Sequence, residues 1–437
     1  HLPLGELIYL DQERCILCGR CVRFQDEIVD DPVIGFSQRG RALQIVSFSE
    51  PAFNSYFSGN TTDICPVGAL TTTDFRFGAR PWELGVAASL CPHCPVGCNI
   101  TLNIRREAAS GGGVVVKRVM PRQNEWVNEI WMCDRGRFAY HFSQDRERLT
   151  QPLIRKDGEL VPTSWEQALD IVADHFRQAG EGLLTLVSGR LSNEDLFNLR
   201  RLTASLGGKT RLYSHMAGGD LVAQVGVGQG TNIAEMSADT AILVVASDLL
   251  EEAPIWWLRV KQAAERGATL IVVSPRYTKL ERYAKHSLRY PYGSEAATIL
   301  AMVNQLSAKR PGLPGEVRDL ARSDELEAAA RSFAQCENAI ILFGSEGIGL
   351  QGSQALAQAC ANLLLVTNHV GRPNNGLIGV WSRANEQGAW DMGFRPDLNL
   401  KRTMREAKAL YIVAADPAGD DPNLAETTDF WWYRSYF

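Results

Sequence analysis

Eight of the ten cysteines fall within the first 133 residues, in two tight groups, each followed at a distance by a single further cysteine. Cys15, Cys18 and Cys21 sit in CILCGRC, and the next one downstream is Cys65, in DICPVGAL. Cys91, Cys94 and Cys98 sit in CPHCPVGC, followed by Cys133 in MCDRGRF. Short spacers let one turn of backbone aim three thiolates at a common point, and a remote fourth closes the ring. Two separated stretches of chain must therefore meet, twice. In a large chain with C-x2-C spacing, metal binding is a better reading of such cysteines than a disulfide framework. The first triad, with its remote Cys65-Pro66, carries the ending of a bacterial ferredoxin run delayed by an inserted stretch. Pro66 fixes the backbone where the fourth thiolate arrives. Three clustered cysteines and one remote point to a 4Fe–4S cluster in each set. The alternative for both is a four-cysteine zinc site, closed and redox-silent, which usually comes as two C-x2-C pairs. His93, between two cysteines of the second set, is an alternative ligand there.

Near the first triad, Arg14, Arg20 and Arg23 can offset the negative charge of a thiolate-bound cluster, while Ile16, Leu17, Val22 and Val67 can keep water away. The other reading of those arginines is a solvated face paired with Asp26 and Glu27. Cys336 and Cys360 stand alone in apolar or helical stretches and read as packed thiols.

A net charge of −5 with scattered basic residues gives no electrostatic case for nucleic acid. Apolar runs such as AILVVA (241–246) and LLLV (363–366) are strand-length, far below a membrane span. The start, HLPLGELIYLD, has neither an initiator Met nor a signal-peptide pattern.

Up to about residue 148 the chain is turn-rich, with short strands expected in RALQIVSF (41–48) and NITLNI (99–104) and a flexible excursion in EAASGGGVVV (107–116). From about 150, strand and helix signals alternate. Ser164 and Gln167 form a capping box before WEQALDIVADHF; Trp165, Ala168, Val172 and Phe176 share one face, and Gly180 marks the stop. LLTLVSG, TAILVVASD, ATLIVVS, NAIILFG and ALYIVAAD read as strands. EDLFNLRRLTASLGG, PIWWLRVKQAAERG and SQALAQACANLLL read as helices, the second bounded by Pro254 and Gly267. Such alternation argues for parallel sheets wrapped by helices, an α/β class. GIGLQG (347–352) fits G-x-G-x-x-G, but no acid follows at the end of the next strand, so a dinucleotide site is not expected. His215, His286 and His369 lack partners suggestive of a triad or metal site and read as packed or surface histidines.

Taken together, HLPLGELIYLDQERCILCGRCVRF, GNTTDICPVGALT and CPHCPVGC…MCDRGRF resemble the large iron–sulfur subunit of respiratory complex I, the NADH–quinone oxidoreductases. The remainder resembles the molybdopterin oxidoreductase domain fused to that subunit and found in formate dehydrogenases, through RLTQPLIRKDGELVPTSWEQAL, VVSPRYT, ANLLLVTNHVGRPNNG, RANEQGAWDMG and ALYIVAADPAGDDPN. The resemblance implies a 4Fe–4S domain at 1–80, a second at 81–148, and a molybdopterin-oxidoreductase-like α/β domain at 149–437. It implies a relay from flavin toward quinone through the first cluster, with the second off the main path. Implied partners are the flavin-bearing subunit and the quinone-side iron–sulfur subunits. The implied location is peripheral to the inner face of the cell membrane, on the cytoplasmic side, without insertion. Two further clusters of the family, a 2Fe–2S and one held by a histidine and three cysteines, have no residues here, and His1 does not match that histidine. With the tail TTDFWWYRSYF, which also departs from the family, this leads us to expect an interior portion of a longer protein.

A molybdenum or tungsten enzyme of the formate dehydrogenase type is the rival reading. In that family a cysteine or selenocysteine before a histidine holds the metal. The matching stretch here is LYSHMAGGD, with Ser214 before His215. The pterin-phosphate turn reads ASDLLEEAP, putting Asp248, Glu251 and Glu252 near a dianion. The family's Asp-Pro-Arg is Ser274-Pro275-Arg276, and the lysine after the cluster cysteine is Arg135. The pterin fold is therefore expected without molybdopterin, and no catalytic residue is expected in this chain.

Overall fold

The computed structural model describes residues 2–108, 112–307 and 323–422. The centre of the expected excursion (109–111), His1 and the tail 427–437 lie outside them. The chain divides into two compact units, one of His1–Gln144 with Asp248–Ala263, the other of Asp145–Ser247 with Ala264–Phe437.

In the first unit, strand Ile8–Leu10 lies between Leu2–Pro3 and Leu70–Thr72 in an antiparallel sheet, with Leu10 opposite Leu70. That register sets the residues just before Cys15 against those just after Cys65. Ile8, Leu10 and Leu70 are buried together with Cys21, Ile34 and Ile45, and Cys15 and Cys65 pack against the same cluster. Hydrophobic burial thus pulls the remote cysteine back to its triad. A second antiparallel sheet joins Gly85–Leu90, Asn99–Arg106 and Val114–Pro121 in that order. Leu90 pairs with Asn99, so CPHCPVGC is the turn of a hairpin. Cys133 stands at the start of the short helix Asp134–Phe138.

Most of the helix Pro254–Glu265 belongs to this unit. Its Trp257 is fully buried. Two cations in the same helix are buried too, and both find partners there. Arg259 pairs with Glu129 and donates to the Glu125 carbonyl at 2.6 Å, and Lys261 donates to the Glu27 carbonyl at 3.0 Å. A buried charge is tolerable only when satisfied in this way.

The second unit holds two parallel sheets. One runs His286–Leu288, Thr269–Val273, Thr240–Val245, Asn338–Phe343, Gly376–Gly379, and the other Lys209–Leu212, Leu183–Val187, Ala409–Val413. The central strands TAILVV and NAIILF are buried on both faces, which is why they read as unbroken apolar runs. Helices Asn193–Ser205, Glu295–Leu306 and Asp324–Gln335 contribute Leu196, Ile299 and Phe333 to this core. Ser192 and Ser323 cap the first and third through their hydroxyls, each contributing about 1 kcal/mol. The helix Trp165–Ala179 starts at the expected cap, with the Gln167 N–H donating to Ser164 Oγ at 3.2 Å. Its expected apolar face is only partly used: Phe176 meets Tyr411 at 5.2 Å between ring centroids, whereas Trp165 and Val172 are exposed. Cys360 is fully buried, Cys336 packs against the same core, and buried His369 bonds Thr367 and the Cys336 carbonyl.

Candidate iron–sulfur centres

Cys15, Cys18, Cys21 and Cys65 line a single cavity, with Leu10, Ile16, Arg20, Ile45, Pro66 and Val67 among its other walls. Leu17, with φ at 54°, and Gly19, at 73°, turn the loop between the cysteines. Successive turns of this kind aim backbone N–H groups into a concave space suited to anionic clusters. Of the three nearby arginines only Arg20 borders the cavity. Arg23 is bound to Glu27 at 2.8 Å in an exposed surface pair, and exposed Arg14 is bound to the half-buried Asp11 at 3.3 Å. Burial pushes the Cys21 thiol up to about 11; the Val22 N–H pulls the other way, while Cys15, Cys65 and Cys18 add their repulsion.

The second set is closed. Cys91, Cys94, Cys98 and Cys133 are each 3–5% exposed. Burial raises all four thiols, Cys91 to about 11 and Cys133 to about 12, and Cys98 rises further under the repulsion of Cys94, Cys133 and Cys91. The N–H groups of His93, Val96 and Gly136 donate to Cys91, Cys94 and Cys133, and Arg135 donates to Cys94. The hairpin supplies two of these donors and is held shut by the Cys91 N–H on the Cys98 carbonyl at 2.9 Å. The His93 ring lies edge-on to Phe142. A Cβ on Gly136 would sit 3.3 Å from Cys91 Sγ and 3.8 Å from Cys133 Sγ, so this glycine keeps the space between the two sulfurs open. Among the described residues no three His, Cys, Asp or Glu side chains converge closely enough to hold a metal ion.

The two sets are tied to each other by polar side chains that cysteine spacing did not reveal. Asp134, next to Cys133, accepts the Ser58 N–H at 2.9 Å, the Ser58 hydroxyl at 2.5 Å and the Gly59 N–H at 2.8 Å. Asn60 bonds both the N–H and the carbonyl of Met132, and Arg137 pairs with Asp63. Residues 58–63 lead directly into Cys65. Arg135 also donates to the carbonyls of Glu251 and Glu252 at 3.3 and 3.2 Å, fixing a turn that Asp248 caps.

Among models of known families, molybdopterin oxidoreductase matches residues 148–431. The chain belongs to the molybdopterin oxidoreductase family. Two further family models cover the cysteine-rich part. The ferredoxin-like domain of NADH-quinone oxidoreductase subunit 3 matches 5–71, and the 4Fe-4S domain of NADH-ubiquinone oxidoreductase NDSU1/NuoG-like proteins matches 94–141. NADH-quinone oxidoreductase subunit 3 of Thermus thermophilus is 32% identical over 91% of this chain and 49% of its own length. The alpha subunit of a NADPH-Fe(3+) oxidoreductase from Geobacter sulfurreducens is 30% identical over 90% of this chain and 49% of its own. The chain thus spans about half the length of the curated relatives it matches. Among solved structures, acetylene hydratase from Pelobacter acetylenicus shares the fold, with a TM-score of 0.53 at 20% identity over 66% of this chain and 44% of that one.

The hydroxyl of Ser214, the residue before His215 in LYSHMAGGD, is engaged. It donates to Glu386 Oε2 at 2.7 Å, and Ser382 donates to Glu386 Oε1 at 2.6 Å. Glu386 is 1% exposed, and burial raises its pKa. A Cβ on Gly189 would strike Glu386 Cγ at 2.3 Å, so this glycine lets Glu386 pack closely against the chain. Ser274 is fully buried and Arg276 faces Glu346 at 3.5 Å. Among the described residues no helix is long and apolar enough to cross a membrane.

Proposed function

We propose that this chain is an electron-relay subunit of an NADH:quinone oxidoreductase. It would hold one 4Fe–4S cluster on Cys15, Cys18, Cys21 and Cys65 and another on Cys91, Cys94, Cys98 and Cys133. Its molybdopterin-oxidoreductase-like domain would serve as scaffold without a pterin. The observation that carries this reading is the convergence of eight cysteines from distant stretches into two sites, one in an apolar-walled cavity and the other buried. When bound, such clusters supply reversible one-electron transfer. The residues here would provide thiolates, N–H donors to sulfur and exclusion of water. The Ser214–Glu386 hydrogen bond supports the absence of molybdopterin, since a serine ligand would have to give it up. We place the domain limits near 80 and 148, and the partners on the flavin and quinone sides of the complex, at the inner face of the membrane.

The Geobacter relative supports a second reading of the terminus only: the same relay serving NADPH and ferric iron. Metal analysis of the purified chain tests the core proposal. About eight irons per chain without molybdenum or tungsten are expected. Zinc alone, or molybdenum with formate turnover, overturns it. Turnover of the assembled enzyme with NADH and a soluble quinone against NADPH and ferric citrate then separates the two termini.

A further inference from the structure

Residues 75–90 of the cysteine-rich unit expose a run of large apolar side chains. Phe77 is 91% exposed, Trp82 80%, Val86 72% and Leu90 60%. Interleaved with them, arginines lie on aromatic rings. The guanidinium carbon of Arg76 is 4.8 Å from the Phe77 ring centroid and 4.9 Å from that of Tyr9; Arg80 stands 6.0 Å from Trp82, and Arg118 4.2 Å from Phe75. All three arginines line a cleft of about 840 Å³. The carboxylates of that cleft are already committed: Asp11 to Arg14, Asp63 to Arg137, Asp74 to His141 and Glu83 to Arg105. Arg76, Arg80 and Arg118 form no ion pair with a carboxylate among the described residues.

A guanidinium stacked on a ring keeps its in-plane N–H fork free for a bidentate anion. Arg118 is half-buried beside Phe75 with only the neutral Asn103 oxygen, at 2.7 Å, as its hydrogen-bond acceptor. Arg118 feels Asp63 beyond ion-pair distance, and that carboxylate is already paired with Arg137, so an incoming carboxylate would offset part of the cost of burying the cation. We propose that this face is the docking surface for an acidic segment of a partner protein. Two features favour a protein over a small anion. The cations lie on different rings, Arg76 on Tyr9 and Phe77, Arg80 on Trp82 and Arg118 on Phe75, an arrangement that suits several carboxylates along a chain rather than oxygens sharing one phosphorus. Exposed Phe and Trp beside Arg is the composition of interface hot spots. The chain as a whole carries a net −5, so a local basic cleft would also select and orient an acidic partner. The cleft reaches Asp11, Arg14 and Gly68, which flank the first cysteine set, so a partner docked there lies beside that site.

The test compares the full chain alone with the same chain in its native assembly. Hydroxyl-radical footprinting should show Phe77 and Trp82 protected about tenfold in the assembly. A photo-crosslinking amino acid at position 77 should attach to an Asp/Glu-rich segment of another polypeptide. The double variant R76E/R80E should weaken assembly about tenfold or more, R76K/R80K less, with iron content unchanged in both. The proposal is overturned if Phe77 and Trp82 react equally in both states. It is also overturned if the cross-link lands in the same polypeptide, or if ATP or phosphatidylglycerol vesicles alone give the protection.

Discussion

The two cysteine sites use the same four-sulfur chemistry in opposite surroundings. At the first, Cys18 is exposed, Cys15 and Cys65 are half-buried and only Cys21 is buried; at the second, all four cysteines are buried. The first is closed by a short sheet that brings a distant strand back, and the Val22 N–H donates to Cys21. The second is closed by a hairpin and a helix start, with the N–H groups of His93, Val96, Cys98 and Gly136 and the Arg135 side chain donating to its sulfurs. Ligand identity alone therefore does not decide what a site can do. The open one leaves a cysteine accessible to reagents from outside, while the sealed one excludes them.

The bluntest way to break this comparison is to remove one ligand from each site. Cys65→Ala should lower iron from about eight to about four per chain and erase only the first site's paramagnetic signal, with Cys133→Ala doing the converse. Loss of both signals on changing Cys65 alone would falsify the assignment of separate sites. Gly136→Val attacks the sealed site without touching a ligand. Its branched side chain must enter space 3.3 Å from Cys91 Sγ, so the second set should lose most of its iron while the first keeps its own. Exposure itself can be read as a rate: a chelator with ferricyanide should strip the first site about tenfold faster than the second. Equal rates would mean that burial does not control access.

A smaller effect follows from pH. Thiols at the second site are raised in the folded, metal-free protein, Cys91 to about 11 and Cys133 to about 12. Such groups contribute stability that is complete below the ordinary thiol pKa and is lost as pH rises through those raised values. Filling the site requires thiolates and so releases protons. Reconstitution of the second site should therefore improve from pH 7 to pH 9, and acid should favour loss of its iron. Iron uptake by the Cys65→Ala variant at the two pH values measures this, and an unchanged yield would count against a buried, protonated resting state.

Two groups of four cysteines were visible in the sequence because cysteine has few other reasons to recur at such spacing, and the fold brings each remote cysteine near its triad. The parallel sheets were legible too, since TAILVV and NAIILF are apolar on both faces only when both faces are covered. What joins the pieces was hidden. The pairing of Leu10 with Leu70 is one choice among many apolar residues until burial selects it. PIWWLRVKQAAERG declared itself a helix, yet only the buried Arg259 and Lys261, with acceptors at residues 125 and 27, show that it belongs with the cysteine-rich unit. Asp134 stood in plain view beside Cys133, but its donors lie more than seventy residues upstream.

That last contact gives the finest test of how separate the two sites are. Ser58 supplies two of the three hydrogen bonds received by the buried Asp134, and it sits on the stretch leading to Cys65. Ser58→Ala removes the hydroxyl and leaves both backbone donors, so a buried carboxylate loses one of three partners. The expected cost is about 1–2 kcal/mol of stability, as for other buried groups deprived of one partner. If the tie only supports the fold, both sites should lose iron together on heating, at a lower temperature. If it couples the sites, their loss should separate, with the open site failing first while the sealed one holds. Following the two paramagnetic signals through a thermal ramp distinguishes these outcomes, and an unshifted ramp for both would show that the Asp134 network contributes nothing to either.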